Sequence, residues 1–233
     1  MKYKNILFDA DGTLLDFERA EAVALSETLV HFSLPDTEEN RRQYSAANLE
    51  QWALLEKKAV TRAQLKFNRF ANFCARIGVM RNAAEMADFY EAALSQKNFL
   101  IDGALETCRL LAEHCDLYII TNGFIRIQNG RFSNSPLTPL MKRLFISEEI
   151  GVEKPDVGFF DWVAREIPDF DKRTALVVGD RIQSDIEGGI SAGIDTCWYN
   201  PARTTTPDGL PITYTITELS QLQDIIIRGE SRV

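Results

Sequence analysis

The chain has 233 residues, 45% of them hydrophobic and 26% charged, with a formal net charge of −8. That length and balance describe an ordinary globular chain with one large or two small domains. The acidic excess argues against non-specific attachment to DNA, RNA or an anionic membrane, and no apolar run approaches the roughly 20 residues needed to cross a bilayer.

The first element is a short strand, Asn5-Ile6-Leu7-Phe8, which stops at Asp9-Ala10-Asp11-Gly12-Thr13. In a parallel α/β sheet, ligands bind at the carboxyl ends of strands, and Gly12 allows the chain to turn away there. Two carboxylates about 4 Å apart repel by roughly 4 kcal/mol at an effective dielectric near 20. Either one of them stays protonated or a cation sits between them; carboxylate, carbonyl and water oxygens suit Mg²⁺.

Residues 17–100 are helical by pattern. Ala22, Leu25, Leu29 and Phe32 recur at helical spacing, and a break over residues 34–39 ends in acidic first-turn residues. The next helix carries Tyr44, Ala47, Trp52 and Leu55. Thr61 and Gln64 form a capping box that opens a helix with Phe67, Phe70, Phe73 and Cys74, closed by Gly78. A fourth helix spans 82–96 with Met86, Phe89, Tyr90, Ala93 and Leu94. The segment reads as a four-helix insertion whose aromatic residues pack among themselves.

From residue 103 helix and strand alternate. A helix over 104–115 precedes a strand at 117–121 that ends in Thr121-Asn122-Gly123. Residues 124–143 are partly helical, interrupted by Asn134-Ser135-Pro136, and a strand follows at 144–147. A loop through Lys154-Pro155 leads to a helix over 156–167. Thr174 to Val178 is a buried strand ending at Gly179-Asp180, followed by a helix at 184–192 and a strand at 196–199. The stretch 201–211 is a surface loop, before a strand at 212–216 and a helix from Thr217 to about Arg228. This alternation predicts a doubly wound, Rossmann-like parallel sheet with helices on both faces.

Each strand of the second half ends in a polar group, and strand ends in such a sheet converge on one crevice. Asp9, Asp11, Thr121, Asn122, Lys154, Asp180 and Asp185 are therefore expected to meet. Cys74, Cys108, Cys115 and Cys197 form no C-x-x-C pair and read as buried free thiols of a reducing compartment. The opening residues run straight into the first strand without a signal-peptide pattern, so a cytoplasmic location is expected. The two histidines, His31 and His114, fall at helix ends and read as structural.

The four motifs, Asp9-Ala10-Asp11-Gly12-Thr13, Thr121-Asn122-Gly123, Lys154-Pro155 and Gly179-Asp180 through Ser184-Asp185, together resemble the haloacid dehalogenase-like superfamily of phosphohydrolases. The resemblance implies an α/β core formed by residues 1–16 and 101–233 and an α-helical cap of the C1 type formed by residues 17–100. Thr121-Asn122-Gly123-Phe124, Ile146 through Val152 and Ala192 through Asn200 are similar to the pyrimidine 5′-nucleotidase (YjjG/YfnB-like) branch. That likeness implies hydrolysis of small phosphomonoesters such as UMP, dUMP or dTMP.

The resemblance also implies roles. Asp9 is the nucleophile that forms an aspartyl-phosphate, and Asp11 is the acid and base. Asp9, the Asp11 backbone carbonyl and Asp180 hold Mg²⁺, Thr121, Asn122 and Lys154 bind the phosphoryl group, and Asp185 braces the metal waters or Lys154. The dehalogenase branch has no acidic residue at the place of Asp11, because a leaving halide needs no proton. The expected partner is a small-molecule phosphomonoester, with no nucleic acid polymer and no membrane, and the protein is expected as a monomer or small homo-oligomer. A sugar-phosphate phosphatase or mutase with the same core, or a non-catalytic binding protein on this fold, are the other readings.

Overall fold

The structure, a computed structural model, describes residues 2–205 and 209–229. Residues 206–208 of the expected 201–211 loop lie outside the described residues. The chain packs as two compact units, one of Met1–Phe17 with Asn98–Val233 and one of Glu18–Lys97.

The first unit is built on six parallel strands: β1 (Asn5–Phe8), β2 (Asp116–Thr121), β3 (Met141–Ile146), β4 (Ala175–Gly179), β5 (Asp195–Tyr199) and β6 (Tyr214–Ile216). Their order in the sheet is β3-β2-β1-β4-β5-β6. β1 is thus central, pairing in register with β2 (Phe8 beside Ile119) and with β4 (Phe8 beside Val178). The order reverses around β1, which is where a doubly wound sheet opens its crevice.

Alternation along the strands feeds two cores. Ile6, Phe8, Leu117, Ile119, Leu176 and Val178 point to one face, where they meet Cys108, Leu111, Leu222 and Ile225. Leu7, Tyr118, Ile120, Phe145 and Val177 point to the other, against Phe159, Phe160, Val163 and Ile194. A strand buried on both faces must be apolar throughout, which is why the strands next to the centre were readable as continuous apolar runs.

Of the departures from the expected bounds, two are informative. β3 begins at Met141 rather than at residue 144, with exposed Lys142 and Arg143 inside it. It is an edge strand, and charged side chains there discourage pairing with another chain, at the cost of an apolar signal. The expected helix at 184–192 is a π-helical turn, Ile182–Ile186, running into a short α-helix at Glu187–Ser191. A π-turn inserts an extra residue and re-aims side chains, a device frequent at functional sites. Here it carries Asp185.

The second unit holds most of α1 (Phe17–His31), then α2 (Glu38–Glu56), α3 (Arg62–Arg76) and α4 (Ala83–Ser95). α2, α3 and α4 each start on a side-chain cap, and the one at α3 is the expected box. Thr37 accepts from the Asn40 amide, Thr61 and Gln64 form the reciprocal capping box, and Asn82 accepts from the Ala84 and Glu85 amides. Tyr44, Phe70 and Tyr90 meet with ring centroids 5.1–5.6 Å apart, the spacing of favourable tilted aromatic pairs. Two expectations of burial fail. Ala22 is exposed because α1 turns Ala20, Ala24, Leu25, Thr28 and Leu29 inward. Phe67 is 47% exposed, one turn away from the buried Phe70 and Phe73 stripe.

The helical unit also buries Arg69, whose guanidinium lies 4.7 Å from the Tyr90 ring centroid and 3.9 Å from Glu91. Glu91 is also 3.1 Å from Lys66. His31 ends α1 and stacks on Phe89 at 4.1 Å, in keeping with its structural reading. All four cysteines are free and buried. Among the described residues, no helix is long and apolar enough to cross a membrane.

Candidate active site

The first carboxylate stands one residue beyond β1. The Asp9 amide donates to the Val178 carbonyl at 2.8 Å, so the chain is still tied to β4 as it leaves the sheet. It then folds back, with the Leu14 and Leu15 amides both bonding to the Ala10 carbonyl. Gly12 makes the reversal possible: its φ is +87°, and a Cβ there would lie 2.5 Å from Asp180 Oδ2. Glycine is thus required both for backbone conformation and for the approach of a second carboxylate.

Lys154 reaches the same place from the loop after the short helix Ser147–Ile150 that follows β3. Its ammonium donates to Asp9 Oδ1 at 2.6 Å, to Asp185 Oδ1 at 2.7 Å and to the Ile120 carbonyl at 2.9 Å. These three bonds engage all three ammonium donors. A phosphoryl oxygen in this site would feel the charge directly or take over one of the three bonds. Asn122, after β2, grips the lysine's main chain at two points. Its Nδ2 donates to the Lys154 carbonyl at 2.8 Å, and its Oδ1 accepts from the Lys154 amide at 2.9 Å. Asn122 therefore anchors the lysine loop to the strand-end turn.

Thr121, the last residue of β2, is buried, and its hydroxyl oxygen accepts from the Gly123 amide at 3.0 Å and from Gln128 Nε2 at 3.2 Å. Asp180, one residue beyond β4, accepts the Thr13 hydroxyl at 3.3 Å, and its carbonyl takes the Trp198 indole N–H at 2.9 Å. Asp185 is fully buried, with Oδ2 on the Arg181 amide at 3.1 Å and Oδ1 on Lys154.

Asp9, Asp180 and Asp185 each offer a carboxylate oxygen, and these oxygens lie within 4.8 Å of one another. Three carboxylates face one ammonium, and the electrostatics register the shortage of positive charge. Burial pushes the Asp9 carboxyl well above the usual carboxylate value. Lys154 pulls it back, and Asp185 and Asp180 add to the rise. Burial, followed by the charge of Asp185, raises Asp180 to about 6. Burial alone would lower the Lys154 ammonium, but Asp185 and Asp9 outweigh it and hold that group above its ordinary value. An all-oxygen donor set with excess negative charge fits a hard divalent cation.

The Asp11 carboxyl stands apart from that cluster. Its Oδ2 accepts from Gln128 Nε2 at 2.6 Å, and its Oδ1 is paired with Arg131 Nη1. Both partners lie on the helix Ile125–Ser133, which starts directly after the Thr121-Asn122-Gly123 turn. Sequence reasoning missed them. The available signal was their spacing of three residues on a helix leaving a strand-end motif, but arginine and glutamine ordinarily read as solvent-facing.

The family model for haloacid dehalogenase-like hydrolases matches residues 3–193. Over nearly its full length the chain is similar to two pyrimidine 5′-nucleotidases. With PynA of Streptococcus pneumoniae it shares 36% identity over 227 residues, 97% of this chain and 96% of the relative. With YjjG of Escherichia coli it shares 32% over 228 residues, 98% and 100% of the two chains. The crystal structure of the HAD-hydrolase YfnB of Bacillus subtilis bound to magnesium superposes with a TM-score of 0.91 at 35% identity, covering 97% of this chain and 99% of that one. The Asp-rich end of the parallel sheet and the matched family model agree: this chain belongs to the haloacid dehalogenase-like hydrolases.

Proposed function

We propose that the protein is a Mg²⁺-dependent phosphomonoester hydrolase that works through an aspartyl-phosphate on Asp9, with pyrimidine nucleoside 5′-monophosphates such as UMP, dUMP and dTMP as substrates. The observation that carries this reading is the buried junction of Asp9, Lys154, Asp185 and Asp180 at the carboxyl ends of β1 and β4 and in the loops beside them. It supplies a carboxylate nucleophile, a fixed cation beside it, and an oxygen-lined place for a divalent ion.

In the first step an Asp9 carboxylate oxygen forms a bond to phosphorus, and the bond from phosphorus to the ester oxygen breaks. Asp11 gives its proton to the departing alkoxide, which leaves as the alcohol. In the second step Asp11 takes a proton from water, the water oxygen bonds to phosphorus, and the acyl-phosphate bond to Asp9 breaks. Lys154 offsets the negative charge around Asp9. The Thr121 hydroxyl, whose oxygen already accepts two bonds, has its proton left to donate to a phosphoryl oxygen. Asn122 serves the phosphate by fixing the lysine loop. A magnesium ion held by Asp9, Asp180 and the Asp11 carbonyl supplies, when bound, the charge that lets an anionic nucleophile meet an anionic phosphate. Asp185 orients Lys154.

The helical unit, residues 17–100 as read from the sequence, serves as the cap that selects the leaving group, and residues 1–16 with 101–233 serve as the catalytic core. The nucleotidase relatives support the pyrimidine assignment, and four free buried thiols support a cytoplasmic home. One panel tests the substrate: nucleoside and sugar monophosphates compared by kcat/KM in magnesium buffer. Preference for UMP, dUMP or dTMP is expected. A clear preference for a hexose phosphate would overturn the assignment in favour of a sugar phosphatase.

A further inference from the structure

Arg131 and Gln128 have no role in the chemistry set out above, yet both are enclosed where that chemistry would take place. Arg131 is 0% exposed and Gln128 is 1% exposed. Burying a whole guanidinium costs several kcal/mol before its pairings are counted. The fold does not need that expense merely to neutralise Asp11, whose side chain is 26% exposed and open to water on one side.

The two residues sit three apart on the helix Ile125–Ser133 and take one carboxyl oxygen each. A carboxyl held at both oxygens by two different side chains cannot rotate about its own axis. Each oxygen has two lone pairs, so one direction at each remains for a proton in transit. Gln128 Nε2 also touches the Thr121 hydroxyl oxygen, so one amide spaces Asp11 from the end of β2. The backbone accommodates this arrangement: a Cβ on Gly123 would lie 2.3 Å from Gln128 Nε2. Arg131 is braced in turn by the Phe17 ring, 5.8 Å from centroid to guanidinium.

We infer that Gln128 and Arg131 are positioning residues that aim the Asp11 carboxyl at the leaving-group oxygen. The inference rests on the reading of Asp11 as the proton donor. The clasp acts through orientation: it fixes the direction of the carboxyl for the first step, where the ester oxygen needs a proton in proportion to how poor a leaving group it is.

Two esters of similar size isolate that step. p-Nitrophenyl phosphate releases a stable phenolate and needs no proton, whereas benzyl phosphate releases an alkoxide and does. kcat/KM reports events up to the departure of the alcohol, so the change in the ratio of aryl to benzyl kcat/KM from wild type to variant measures the loss of proton delivery. The ratio is measured in magnesium buffer for the wild type, Asp11→Asn, Gln128→Leu and Arg131→Lys, each checked for fold by circular dichroism. Asp11→Asn is expected to raise the ratio by about 100-fold or more, the range of general acid catalysis. Gln128→Leu and Arg131→Lys are expected to raise it about tenfold, a partial loss of the same effect.

A merely structural role would depress both esters alike. An unchanged ratio in the two clasp variants, with a raised ratio in Asp11→Asn, would overturn the inference and leave the acid assignment standing. An unchanged ratio in Asp11→Asn would remove the acid assignment and the clasp with it. Should Arg131→Lys fail to fold, Gln128→Leu decides the matter, because it leaves the buried charge pair in place.

Discussion

Replacing Lys154 by methionine keeps the length of the side chain and deletes its charge. The ammonium lies 2.6 Å from Asp9 and 2.7 Å from Asp185, and all three groups are buried. At an effective dielectric near 20 each contact is worth about 6 kcal/mol of attraction, most of it offset by the cost of taking the ions out of water. Removing one side of a buried pair leaves that cost uncompensated and typically destabilises by about 3–5 kcal/mol. With a urea slope near 3 kcal/mol per molar for a chain of this size, the midpoint should fall by roughly 1–2 M. The loss should be smaller at pH 5 than at pH 8. Without Lys154 nothing pulls the Asp9 carboxyl back, so burial and Asp185 raise it further and at the lower pH it takes up a proton instead of standing as an orphaned charge. Adding Asp185→Asn to Lys154→Met should recover part of the loss, about 1–3 kcal/mol of coupling, because the orphaned charge is then removed. A Lys154→Met midpoint equal to wild type, or an Asp185→Asn effect that simply adds to it, would refute the electrostatic reasoning.

The same shortage of positive charge makes divalent binding a competition with protons. Asp180 is raised to about 6, so metal-free protein should lose stability as pH climbs from about 4 through 6, and millimolar Mg²⁺ should raise the thermal midpoint more at pH 8 than at pH 5; scanning fluorimetry with and without chelator reads both, and an equal shift at the two values would contradict it. Gly12→Ala puts a side chain at φ +87° and a Cβ 2.5 Å from Asp180 Oδ2. It should cost at least about 1–2 kcal/mol from the backbone alone and weaken Mg²⁺ stabilisation, and wild-type melting with full Mg²⁺ response would count against the geometry. In the helical unit, Phe70→Ala removes a fully buried ring from between Tyr44 and Tyr90 and should destabilise by about 3–5 kcal/mol in denaturant melts.

What the sequence made legible follows from how each residue signals its place. β1, β2 and β4 are buried on both faces, so Ile6-Leu7-Phe8, Leu117 to Ile120 and Leu176 to Val178 carry unbroken apolar runs. The carboxylates and the lysine stand at or beyond strand ends, where a polar residue after such a run is conspicuous. β3 was harder because Lys142 and Arg143 interrupt it at the sheet edge. The π-turn at Ile182–Ile186 was invisible because one inserted residue changes the hydrogen-bond ladder and not the composition. The grip of Asn122 on the Lys154 main chain was not legible, because a loop-to-loop clamp leaves no periodic trace. Arg131 and Gln128 escaped for a similar reason. Long polar side chains on a helix default to solvent, and only the tertiary fold brings them onto Asp11.

The central claim is that Asp9 carries the phosphoryl group between the two steps. Enzyme turning over UMP in magnesium buffer can be quenched in acid within milliseconds, reduced with tritiated borohydride and digested. An acyl-phosphate on Asp9 would be converted to homoserine at position 9, read by peptide mass spectrometry, and Asp9→Asn would trap no label. Label on another residue, or turnover by Asp9→Asn at the wild-type rate, would contradict the account.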